Sequence, residues 1–118
     1  MGKSERRIQF EIREFIGGLD DFVIFRNNTG EANLNGRRVK FGLCVGSSDL
    51  IGIHKTGRFI ALELKTDKGK PSDDQKRFIS LINKYGGAAA VLRSLEDAQG
   101  FVESVRNEED IFCGFAPQ

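Results

Sequence analysis

Near the start of the chain, Ile8, Ile12, Phe15, Ile16 and Leu19 recur at helical spacing and share one stripe. Ser4 stands before them as a candidate N-cap and Gly17-Gly18 after them as a stop, which predicts a helix over about 5–16. Asp21 to Arg26 is short and β-prone, and it runs into the turn formers Asn27-Asn28-Thr29-Gly30. Residues 27–38 are expected to be a polar loop, with Gly36 and Arg37-Arg38 at its tip. Asp49 to Ile53 predicts a strand, His54 to Gly57 a turn and Arg58 to Lys65 a second strand, together a β-hairpin. Period-two alternation puts Ile60, Leu62 and Leu64 on one face of the second strand, and Phe59, Ala61, Glu63 and Lys65 on the other.

After a basic turn, Ser72 with Gln75 three residues on fits a capping box. The helix it opens has Phe78, Ile79, Ile82 and Tyr85 on its apolar face and ends at Gly86-Gly87. Ala88 to Arg93 predicts a buried strand, and Ser94 caps a last helix carrying Ala98, Phe101, Val102 and Val105 inward. The order αβββαβα implies an α/β fold with a mixed central sheet flanked by helices. The 118 residues are expected to form one domain.

Composition narrows the possibilities. Hydrophobic residues at 39% and charged residues at 30% are a globular balance, and no apolar run reaches the ~20 residues of a membrane helix. The charged stretch Met1 to Arg13 lacks the apolar segment of a signal peptide. Cys44 and Cys113 cannot build a disulfide framework, so a reducing, cytoplasmic setting is expected, with Cys44 as a small buried hydrophobe. The net charge of +1 is uneven: residues 1–84 hold sixteen basic and eleven acidic side chains, and residues 85–118 hold two and six. This hints at an anionic partner for the first part, although a solvated surface with an acidic end fits equally.

The hairpin carries the candidate chemistry. Folded about Thr56, it sets Asp49 opposite Glu63, with Cβ atoms about 5 Å apart on one face and Lys65 two residues further along. A one-residue slip would undo the pairing. Adjacent carboxylates repel, and a divalent cation bound to both relieves the repulsion. Such a cation polarises a phosphoryl oxygen and acidifies water, while a lysine steadies developing charge. The competing reading of Glu63 and Lys65 is an exposed cross-strand salt bridge. His54 reads as a turn residue, and Phe10 and Phe41 as core rather than base-stacking platforms.

Asp49 followed by Glu63-Leu64-Lys65 on a helix-preceded hairpin resembles the PD-(D/E)XK nuclease superfamily. The finer resemblance is to the VRR-NUC (virus-type replication-repair nuclease) family, in its small stand-alone phage and bacterial form. It rests on Glu5 to Gln9, Phe25 to Gly30, Phe41-Gly42, Gly46 to Leu50, Gly57 to Lys65, Gly69 to Gln75 and Gly86 to Ser94, within residues 4 to about 103. The resemblance implies a restriction-endonuclease-like core and Mg²⁺ (or Mn²⁺) held by Asp49, Glu63, the main-chain carbonyl of Leu64 and, directly or through water, Glu5. It makes Lys65 the catalytic lysine and Gln75 a residue that orders the site, a role compatible with the capping box. Glu11 is the rival for the part of Glu5, which could also be only a first-turn helix acid. The family usually has proline before the aspartate; Ser48 stands here, which is expected to loosen the turn.

The implied activity is a metal-dependent endonuclease acting on branched DNA, such as four-way (Holliday) junctions or flaps, in phage replication, recombination or repair. A restriction-type or nicking nuclease and a catalytically idle DNA-binding module are the alternatives. Arg37, Arg38, Lys68 and Lys70 are candidate phosphate contacts, and Arg26 is either a clamp of that kind or a strand-end surface residue. A two-fold symmetric substrate calls for a homodimer. The apolar tail residues Ile111, Phe112, Phe115 and Ala116 either pack on their own domain or reach a partner, with Phe112 or Phe115 near the contact.

Overall fold

The computed structural model describes residues 4–116. Its elements are α1 (Glu5–Gly17), β1 (Phe22–Arg26), β2 (Gly30–Leu34), β3 (Arg37–Phe41), β4 (Leu50–His54), β5 (Phe59–Leu64), α2 (Asp73–Lys84), β6 (Ala88–Leu92) and α3 (Leu95–Arg106). One mixed sheet has the strand order β1-β4-β5-β6, antiparallel except for the parallel pair β5/β6, which α2 connects.

Both faces of β5 and β6 are covered, so these strands read as continuous apolar runs. Ile60, Leu62, Leu64, Ala88 and Ala90 meet Ile8, Ile12 and Ile16 of α1 and Phe101, Val102 and Val105 of α3. Ala61, Ala89 and Val91 meet Ile79, Phe78 and Ile82 of α2 on the other side. The alternation expected for β5 therefore holds, and so do the caps: Ser4, Ser72 and Ser94 accept from the backbone N–H groups of Arg7, Gln75 and Asp97.

Residues 27–38 are not the expected polar loop. β2 and β3 form a separate two-stranded ribbon joined at Asn35-Gly36, with φ of 53° and 79° at these two positions. Positive φ at both central residues is what a tight hairpin turn requires, and Asn-Gly supplies it. The ribbon is amphipathic: Ala32, Leu34, Val39 and Phe41 share one face, with Glu31, Asn33, Arg38 and Lys40 on the other.

Three further expectations are corrected. Phe10 and Phe41 are 60% and 49% exposed rather than core. Cys44 is exposed, because it lies in the irregular approach to β4 rather than on a packed face. His54 is not a simple turn residue: it ends β4 buried, its ring centroid 4.7 Å from that of Phe22. Its Nε2 lies 3.0 Å from Asp21 Oδ2 and its Nδ1 2.9 Å from Thr56 Oγ1. Arg106 of α3 donates two hydrogen bonds to the same Asp21 carboxylate, at 2.8 and 2.9 Å. One carboxylate thereby ties the β4–β5 turn, the entry to β1 and the end of α3.

The tail packs largely on its own domain. Ile111 joins the α1/α3 core, Cys113 and Phe115 join the α2 side, and the Cys113 carbonyl accepts from Val91 N–H at the outer edge of β6. Phe112 is 83% exposed, and the last two residues of the tail lie outside the described residues. Among the described residues no helix is long and apolar enough to cross a membrane.

The hydrogen bonds from Arg106, aided by His54 and opposed by burial, hold the Asp21 carboxyl well below the usual carboxylate range. Such a group stabilises the fold above its ordinary value of 3.8 and loses that contribution as pH falls below it. Asp21→Asn is therefore expected to lower Tm at pH 7, with the difference from wild type shrinking in acid. Thermal melts from pH 7 to pH 2 check this.

Candidate metal and phosphodiester site

The β4/β5 register is the one on which the sequence argument depended. Leu50 pairs with Leu62 and Ile51 with Ala61, and continuing that ladder by one residue brings Asp49 to Glu63. Asp49 Oδ2 accepts from Leu64 N–H at 3.0 Å, which pins its carboxylate against β5. Glu63 is only 2% exposed, so the pairing with Lys65 is not an exposed salt bridge. Lys65 Nζ lies 3.9 Å from Glu63 Oε1, and Gln75 Nε2 donates to that same oxygen at 3.0 Å. Glu63 Oε2 is buried with no hydrogen-bond partner.

Gln75 performs both roles considered for it. Its side-chain oxygen accepts from Ser72 N–H at 2.8 Å, completing the capping box, while its amide nitrogen reaches Glu63. The cap therefore orients the amide that orients the carboxylate. Gly46 makes this proximity possible: at φ +82° it lies against Asp74, where a Cβ would come within 2.6 Å of backbone atoms. The approach to Asp49 and the first turn of α2 thus form the walls of one polar cleft, lined by Asn27, Ser47, Asp49, Ser72, Asp74 and Gln75.

The electrostatics follow from burial. Desolvation first, then the charge of Asp49 and hydrogen bonding between the two carboxyl groups, with a smaller contribution from Glu5 and against the opposing charge of Lys65, push the Glu63 carboxyl up to about 8 from an ordinary value of 4.5. An orphaned carboxylate oxygen beside a second carboxylate is an oxygen-donor arrangement that suits a hard divalent cation. Among the described residues no group of three or more His, Cys, Asp or Glu is arranged to hold a metal. Asp49 and Glu63 form an adjacent acidic pair, and Glu5, exposed at the start of α1, acts on Glu63 through its charge.

The basic candidates are exposed but dispersed. Arg26 ends β1 opposite Leu50. Arg37 and Arg38 begin β3 and, as strand neighbours, point to opposite faces of the ribbon. Arg38 pairs with Glu31 at 3.1 Å. Lys68 and Lys70 occupy the connection that follows Lys65. Arg93, absent from the sequence-based site, anchors that connection, its guanidinium donating to the carbonyls of Thr66 at 2.6 Å and Gly69 at 2.5 Å.

Asn27 is the other residue to which the sequence assigns no site role, although it is a turn former within the family-like stretch Phe25 to Gly30. Its Nδ2 donates to Ser47 Oγ at 2.7 Å and to the Ser48 carbonyl at 2.9 Å, and its N–H donates to the Asp49 carbonyl at 2.8 Å. Its turn propensity is visible in sequence, but its partners lie some twenty residues away and leave no periodic trace.

A family model for the VRR-NUC domain matches residues 36–96. A solved structure described as a VRR_NUC domain superposes with a TM-score of 0.59 at 23% sequence identity, over 84% of this chain and 94% of that one. No curated protein matches. The family match takes in the β4–β5 hairpin, the connection after it and the cap of α2, and it spans more than half of the sequence; the chain belongs to the VRR-NUC family of PD-(D/E)XK-type nucleases.

Proposed function

We propose that the chain is a divalent-cation-dependent endonuclease, using Mg²⁺ or Mn²⁺, that hydrolyses phosphodiester bonds of branched DNA such as four-way junctions or flaps. The observation that carries this reading is the buried, unpartnered Glu63 Oε2 beside Asp49. An apolar or neutral residue would serve a purely structural strand better, because a buried carboxyl that Gln75 and Lys65 compensate at only one oxygen is costly.

Asp49, Glu63 and the Leu64 carbonyl would hold the cation, with Glu5 acting directly or through water. When bound, that ion supplies Lewis acidity toward the scissile phosphoryl oxygen and toward the attacking water. The remaining work falls to this chain. Gln75 holds Glu63 Oε1 and so leaves Oε2 available. Leu64 N–H fixes the Asp49 carboxylate. Lys65, half-buried beside Glu63, orients the attacking water and steadies charge on the phosphoryl group. Arg26, Arg37, Arg38, Lys68 and Lys70 would contact the DNA backbone, and Arg93 holds the connection that bears two of them. Two cuts in a symmetric substrate call for two sites, hence a homodimer, for which exposed Phe112 remains a candidate contact.

Cleavage assays on duplex, single-strand, flap and junction substrates, with and without Mg²⁺, test the reading. Asp49→Ala and Glu63→Ala are expected to fold and to abolish cleavage, because removing one acid relieves repulsion. Lys65→Ala should lose cleavage while keeping Mg²⁺ affinity by calorimetry. Normal turnover by either acid variant overturns the site.

The Glu63 shift gives a readout without turnover. A carboxyl raised to about 8 stabilises the metal-free fold fully below its ordinary value of 4.5 and loses that contribution as pH rises toward 8. Metal-free stability should therefore fall across this interval by on the order of a few kcal/mol. Glu63→Gln should flatten the fall, and added Mg²⁺ should restore stability at pH 8 in the wild type. Urea titrations across pH measure all three.

If the basic residues meet phosphates, DNA affinity should drop steeply with ionic strength, and neutralising one of Arg37, Arg38, Lys68 or Lys70 should reduce the log–log slope by about one. Fluorescence anisotropy in a salt series reads the slope. Light scattering should report twice 13.1 kDa.

A further inference from the structure

Asp49 precedes the first residue of β4, and the stretch before it, residues 42–48, is irregular. Ser48 does not restrict its own φ as a proline would. Its hydroxyl is buried and unpartnered, so the side chain contributes no hydrogen bond that could hold the turn. Ser47 reaches only backward, its N–H and its hydroxyl both donating to the Cys44 carbonyl at 3.1 and 2.7 Å.

The forward restraint comes from across the sheet. Both N–H groups of the Asn27 amide are in use, one on Ser47 Oγ and one on the Ser48 carbonyl, while its backbone N–H takes the Asp49 carbonyl. Three consecutive residues are therefore gripped by one side chain and its own backbone. Asn27 is itself held, because it follows Arg26, which pairs with Leu50 next to Asp49. We propose that Asn27 is a positioning residue for Asp49. Its amide fixes the Ser47–Ser48 backbone so that the Asp49 carboxylate meets Leu64 N–H beside Glu63, the constraint that a ring at position 48 would otherwise impose.

The residue type is specific to this task. Aspartate at 27 would set an acceptor against the Ser48 carbonyl and add a charge beside two carboxylates. Alanine would leave a carbonyl of a fully buried residue without its partner. The proposal rests on Asp49 being a working ligand, but its geometric core, the Asp49–Leu64 contact, can be read without metal or turnover.

The experiment is amide hydrogen exchange by NMR at Leu64, normalised to the β6 amides, in wild type, Asn27→Ala, Asn27→Asp and Asn27→Ala/Ser48→Pro. Leu64 protection should fall about tenfold relative to β6 in both single variants and return in the double variant. Calorimetric Mn²⁺ affinity should follow, weakening by roughly 10–100-fold as is usual when the partner of a ligand is removed. On a junction substrate kcat should drop with KM little changed. Asn27→Asp keeps the size and the backbone bond, so it serves if the alanine variant does not fold. Relative Leu64 protection that is unchanged in Asn27→Asp, or lost only in step with β6, overturns the proposal. Leu64 protection that tracks residue 27 in a chain that binds no Mn²⁺ supports the positioning role and removes the metal reading instead.

Discussion

A carboxylate buried in the middle of a packed sheet is the constraint around which this domain is arranged. Glu63 sits on β5, the strand with both faces covered, and its burial raises the free energy of the charged form. Two neighbours answer that cost in part: the cap of α2 brings the Gln75 amide, and Lys65 follows the last residue of β5. Asp49, just before β4, is a second acid that raises the cost. The close seat of Gly46 on Asp74 is a consequence, since α2 must approach the turn before Asp49 for Gln75 to reach Glu63 at all.

The parts legible in the sequence were those in which local pattern and tertiary role coincide. Alternation along Arg58 to Lys65 specified which side chains enter which core, and the turn at Thr56 specified the register that sets Asp49 against Glu63. Ser72 and Gln75 announced the helix that supplies the site amide. The β2–β3 ribbon was missed although Asn35-Gly36 is a strong hairpin signal, because charged residues and turn formers surround it and neither strand is buried. Burial likewise misled for Phe10, Phe41 and Cys44, whose apolar character implied a core that their backbone positions do not reach.

His54 and Asn27 illustrate the other limit. Each sits in a turn-like context in which its side chain reads as incidental, and each proves to be a long-range connector, His54 to Asp21 and Asn27 to Ser47 and Ser48. They work at opposite ends of β4: one fastens the hairpin turn to α3 through the shared carboxylate, the other fastens the strand's entry to β1. The central hairpin is thus restrained at both ends by polar contacts, while its middle is restrained by packing.

The ribbon has the opposite character. Its strands hydrogen-bond to each other and join neither neighbour in the main sheet, and its apolar face, with Leu34 at 58% and Phe41 at 49% exposure, stays open to solvent. A two-stranded hairpin without a backing layer is only marginally stable in water. It therefore adds no strand pairing to the main sheet, and its stability rests on its own ladder and turn. Changes of length or composition within it are thermodynamically cheap, and the surface it presents can diverge without breaking a strand pairing of the main sheet.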